Sequence, residues 1–187
     1  MEKDLNSSLE CIRNGGLILY PTDTIWGIGC DPFNVKAVES IFTLKQRPDE
    51  KRLILLVSDE EMLSNYVGDL NNKLKSHIRS HKRPLTIIYD NIKSLPEYLL
   101  GPKRSIAIRL IKEPFCNKLI DLYGQPITST SANISGEKIP THFEEIHQGI
   151  LKGVDYVVNL RRSESTQNKA SDIAKYTDGK LVYIRKD

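Results

Sequence analysis

The chain has 187 residues, 39% of them hydrophobic and 27% charged, with a formal net charge of +3. That balance is ordinary for a folded globule and excludes collagen-like, coiled-coil and disordered chains. The longest aliphatic run, residues 53–57, falls far short of a bilayer span, so a non-membrane, cytoplasmic protein is expected.

Cys11, Cys30 and Cys116 are odd in number and widely spaced, which fits neither a disulfide framework nor a CxxC zinc site and points to a reducing compartment. A chain of this length buries roughly 70% of its unfolded surface, and no repeat or linker divides it. One domain over residues 1–187 is expected.

The spacing predicts a helix over residues 4–14, stopped by Gly15-Gly16, then a buried strand over 17–20. Asn34 caps a second helix whose apolar positions are Val35, Val38, Ile41 and Phe42, and Pro48 ends it by Arg47. A strand follows at 53–57. Ser58 with Glu61 reads as a capping box, and Leu70, Leu74 and Ile78 give the spacing of a further helix.

Residues 85–89 and 105–110 are β-rich, and alternation in the second places Arg109 opposite Ile106 and Ile108. A helix over 115–123 stops at Gly124, a strand covers 127–130, and Thr141 with Glu144 reads as a second capping box. Late strands are expected at 156–159 and 181–185. Interleaved strands and helices with some short connections predict an α/β fold: one open, twisted, mixed sheet with flanking helices.

Phosphate-binding GxxxxGK[ST], GxGxxG after a strand, GxSxG and HExxH are all missing from the sequence. His77 and His81 share a helix face, but no third zinc ligand is evident. Three polar segments remain. In Tyr20-Pro21-Thr22-Asp23-Thr24, hydroxyls and amides suit a small polar ligand, and an ordinary turn bonding its own backbone fits equally.

Lys45 and Arg47 at a helix exit are explained by the helix macrodipole. They also suit a polyphosphate, because Pro48 extends Arg47 and lets side chains two apart project the same way. The run from Ser129 through Ser131 and Asn133 to Gly136 either forms a loop cap or lines a ligand site. Basic clusters at residues 45–52 and 73–83 read as solvated faces, and the second, with Lys73, Lys75, Arg79, Lys82 and Arg83, also fits an RNA-binding concave face.

In this order Gly15-Gly16, YPTDT with WGIGCDP, LKQRP, RPLT, SIAIR and STSANISG resemble the YrdC-like threonylcarbamoyl-AMP synthase family, over nearly the whole chain. The resemblance implies a concave site on a twisted sheet, with Lys45, Arg47, Ser131 and Asn133 as a catalytic, ATP-binding tetrad. It assigns Thr24, Arg109, Ser129 and Ser171 to threonine, with Arg109 on its carboxylate, and Arg185 to the nucleotide.

The family's chemistry joins L-threonine, bicarbonate and ATP, with Mg2+, and hands the adenylate to tRNA threonylcarbamoyl-transferase proteins. It needs no protein nucleophile, because the substrate carbamate attacks the α-phosphate. This chain departs from the pattern at His81-Lys82-Arg83-Pro84, where the family usually carries Trp-Pro-Gly-Pro. Rival readings are a YciO-like paralogue that binds RNA without synthase activity, and a carbamoyl-adenylate domain of the hydrogenase-maturation type.

Overall fold

The computed structural model describes residues 1–46, 52–164 and 170–186. Helix α1 (Glu2–Arg13) buries Leu5, Leu9 and Ile12 as one stripe and gives way at Gly15, whose φ of +77° is left-handed. Strand β1 (Ile18–Tyr20) follows.

Next comes β2 (Gly27–Gly29), which no alternation announces. It is a strand because it lies between two others, and its glycines permit that approach. A Cβ on Gly29 would overlap the Thr128 carbonyl oxygen and come within 3.0 Å of the Tyr20 ring. Gly29→Ala is therefore expected to cost about 3 kcal/mol or more, read as a lowered denaturation midpoint.

Helix α2 (Val35–Leu44) is capped by Asn34, whose side chain accepts from the Ala37 amide. Its buried stripe centres on Ala37, Val38 and Ile41, so Val35 and Phe42 sit at its edge and Val35 is exposed. After β3 (Ile54–Val57), helix α3 (Glu60–Val67) is capped by Asp59, not by Ser58 as the sequence suggested. The Asp59 carboxylate accepts from the Met62 amide at 2.7 Å, which moves the start one residue along.

Helix α4 (Asn72–Ser80), β4 (Leu85–Tyr89), β5 (Ile106–Leu110) and α5 (Pro114–Tyr123) fall where expected, and Gly124 ends α5 at φ +77°. Strand β6 (Ile127–Ser131) follows. No α-helix starts at Thr141. Glu145 reaches back and accepts from the Thr141 amide at 2.7 Å and its hydroxyl at 3.0 Å, holding a single 3₁₀ turn over Phe143–Glu145. Helix α6 (Gln148–Gly153) comes later, capped by His147. The chain closes with β7 (Tyr156–Val157), the unanticipated β8 (Asp172–Thr177) and β9 (Lys180–Arg185).

Among the described residues these strands make one mixed sheet in the order β7-β1-β2-β6-β3-β5-β4-β8-β9. Pairs β1–β7, β3–β5 and β4–β8 are parallel and the others antiparallel. Alternation divides the side chains between two faces.

One face carries Leu19, Ile28, Leu55, Ile87 and Ile108 and is covered by Val38 and Ile41 of α2, Leu63 of α3, Leu74 and Ile78 of α4 and Ile150 of α6. The other carries Ile18, Tyr20, Leu56 and Ile127 and is covered by α1 and α5. Those two helices reach only the β1, β3 and β6 half. Over β4, β5 and β8 the second face is bare, and the register aligns Thr86 with Arg109 and Ile173 there. No described helix is long and apolar enough to cross a membrane.

Candidate functional site

The bare half of the sheet floors a cleft of about 260 Å³. Its walls carry the hydroxyls of Thr22, Thr24, Thr86, Ser129, Ser131 and Ser171 and three arginines, Arg52, Arg109 and Arg185. Among the described residues no carboxylate lines it. Concave, hydroxyl-rich and positive, such a surface attracts anions and positions their oxygens.

At one end the Thr22-Asp23-Thr24 turn is wound around a single oxygen. Thr22 Oγ1 donates to the Ile25 carbonyl at 2.7 Å, accepts from the Thr24 amide at 3.0 Å and lies 2.9 Å from Thr24 Oγ1. Arg161 Nη1 donates to the Thr22 carbonyl at 3.1 Å and anchors the turn from outside. Arg109, 4% exposed, reaches up from β5 and donates Nη1 to Thr24 Oγ1 at 3.1 Å. The same nitrogen lies 3.3 Å from Asp23 Oδ1. Arg109 Nε is buried without a partner among the described residues.

At the β6 exit three segments meet on Lys45, which caps α2 and is 1% exposed. Its Nζ donates to the carbonyls of Ser131 and Asn133, and its own carbonyl accepts from the Ser135 amide at 2.8 Å. Ser131 Oγ donates to Asn133 Oδ1 at 2.5 Å, while Asn133 Nδ2 donates to the Ile134 and Glu137 carbonyls at 2.9 Å each. The loop is thus held from both sides, with the Ser131 hydroxyl on the cleft wall.

The third wall comes from the last hairpin. Ser171 Oγ lies 2.8 Å from Thr86 Oγ1, and the Ser171 carbonyl accepts from Arg185 Nε and Nη2 at 3.2 and 2.7 Å.

Residues 10–187 match the model of the Sua5/YciO/YrdC family, described as telomere recombination. The chain belongs to that family. The threonylcarbamoyl-AMP synthase of Pseudoalteromonas translucida is 32% identical over 169 residues, 89% of this chain and 90% of that protein. Escherichia coli YciO superposes with a TM-score of 0.84 at 28% identity, covering 99% of this chain and 89% of that one. Sua5 of P. abyssi, solved with L-threonine, gives 0.85 at 25% identity over 97% of this chain, which spans only 53% of that longer protein.

Of the residues that the family resemblance singled out, Thr24, Arg109, Ser129, Ser131, Ser171 and Arg185 line the one cleft. Lys45 and Asn133 stand behind its wall, joined to Ser131. Arg47 lies outside the described residues. Thr22 and Thr86 take part without having been singled out. The signal for Thr86 is a threonine among the leucine and isoleucines of residues 85–88.

The basic residues Lys73, Lys75 and Arg79 sit on α4, which packs against the far face of the sheet, so this group is not on the concave surface where an RNA-binding reading placed it. His77 and His81 are engaged otherwise than as a zinc pair: His77 Nε2 lies 2.8 Å from the Tyr183 hydroxyl and His81 Nε2 2.9 Å from Asp172. Burial pushes the Cys30 thiol up to about 12, against a lowering by the Thr128 hydroxyl, so it is a neutral packing group.

Proposed function

We propose that the chain is an L-threonylcarbamoyladenylate synthase. The observation that carries this reading is a cleft walled by three arginines and many hydroxyls, without a carboxylate among the described residues. An amino-acid carboxylate and a nucleotide triphosphate both fit that chemistry. The synthase of P. translucida and the threonine-bound Sua5 of P. abyssi support the same reading.

Threonine's carboxylate is taken by Arg109, with Thr24, Ser129 and Ser171 around the rest of the molecule. Its amine condenses with bicarbonate to a carbamate, releasing water. A carbamate oxygen then bonds to the α-phosphorus of ATP, the bond to the bridging oxygen breaks, and pyrophosphate departs with that electron pair.

The protein's share is alignment and positive charge for the phosphates. Arg185 and Arg47 supply charge, and Ser131 and Asn133 are set by Lys45. Mg2+ brought with the triphosphate would help neutralise the charge on the departing pyrophosphate. The adenylate then passes to tRNA threonylcarbamoyl-transferase proteins in the cytoplasm.

Pyrophosphate release with threonine, bicarbonate and ATP each omitted in turn tests the proposal. Turnover should require all three. Release that ignores threonine would overturn it. An RNA-binding module would show no such turnover and an affinity falling steeply with salt.

A further inference from the structure

We propose that Asp23 is a positioning residue for threonine recognition, holding the Arg109 guanidinium from behind so that the rest of its fork is presented to the cleft. The inference rests on the synthase reading.

Thr22 and Thr24 line the cleft, but Asp23 between them turns the other way. It borders a separate cavity of about 230 Å³ behind the wall, beside Lys82, Arg83 and Lys112. Asp23 therefore does not touch the ligand space and acts only through Arg109. Its Oδ1 is 3.3 Å from Arg109 Nη1, the nitrogen that also donates to Thr24 Oγ1. Nη1 thus makes one hydrogen bond, to Thr24, and one ion pair, to Asp23, whose Oδ1, like Arg109 Nε, has no hydrogen-bond partner among the described residues, so the acid restrains the guanidinium by charge. Planar recognition of a carboxylate needs an arginine fork fixed in this way.

A guanidinium this deeply buried also needs a counter-charge. Glu113, the other nearby acid, is occupied elsewhere: its Oε2 accepts from the Cys116 amide at 2.7 Å and its Oε1 faces Arg161 at 3.9 Å. Asp23 fills that need from outside the cleft, so no acid has to stand where an anionic substrate binds.

Burial holds the Asp23 carboxyl above the usual carboxylate range, Arg109 opposes this, and Glu113 adds to the rise. The Lys112 amide lowers it, and Cys116 also faces Asp23. Asp23 accordingly takes up its proton at a higher pH than an exposed aspartate, and its grip on Arg109 weakens as pH falls through that range.

The test compares wild type with Asp23→Asn, which keeps shape and removes charge. The threonine KM should rise about tenfold or more, as for loss of one partner of a buried charge pair, while the ATP KM and the kcat at saturating threonine stay within about twofold. Wild type should show a rise in threonine KM on the acid side, and that rise should flatten in the variant. Adding Asp23→Asn to an Arg109→Ala background should change little, because both act on one contact.

An unchanged threonine KM in Asp23→Asn overturns the inference, and so does a fall in kcat alone. If the variant does not fold, the wild-type KM profile decides: no acid-side rise refutes the role. Wild type without threonine-dependent turnover would instead refute the synthase reading itself.

Discussion

Lys45→Ala is expected to lower turnover by about 10²-fold or more, the scale of losing one group that organises transition-state charge. It should also lower the unfolding midpoint. The Lys45 ammonium is buried and serves the carbonyls of Ser131 and Asn133, and its removal strands both. Each costs about 1–3 kcal/mol when left without a donor.

Lys45→Met separates the two effects by refilling the volume without the charge. Its midpoint should recover in part while turnover stays low, because the Ser131 hydroxyl is set by the loop that Lys45 pins. Pyrophosphate release and thermal unfolding on both variants are the measurements. Full activity in Lys45→Met would reduce Lys45 to a filler of space.

Arg109→Ala should raise the threonine KM by about 10²-fold or more, the range for truncating one partner of a buried charged contact, with the ATP KM far less affected. The variant also leaves Asp23 buried without its counter-charge, so the Asp23 carboxyl should shift further upward and stability should fall at neutral pH. Sign follows from the direction of the shift. A carboxylate already raised by burial disfavours the folded state wherever it is ionised, and without Arg109 that penalty is larger and is relieved as pH falls. Threonine-dependent kinetics and denaturation at two pH values check both halves.

Local rules made much of the fold legible. Asn34 heads α2, Gly15 and Gly124 close α1 and α5, and the alternation in β5 puts Arg109 opposite Ile106 and Ile108. Other features had no local sign. Gly27–Gly29 is a strand because of what lies on either side of it, and Asp59 rather than Ser58 caps α3 because its carboxylate reaches the Met62 amide.

The site divides in the same way. Thr24, Arg109, Ser131 and Ser171 carry distinctive side chains in distinctive company, so family resemblance could single them out. The acceptors for Lys45 are main-chain carbonyls 86 and 88 residues away, and any residue type supplies a carbonyl. Asp23 lies within the Tyr20–Thr24 motif, yet only the fold shows that it faces away from its two neighbours.

The bond from the Ser135 amide to the Lys45 carbonyl, together with the two from its ammonium, fastens the end of α2 to the loop beyond β6. Helix and loop are thereby coupled, whereas Arg109 belongs to β5. A displacement of α2 would therefore reach the loop beside the Ser131 hydroxyl before it reached Arg109, making that helix a lever on the width of the cleft.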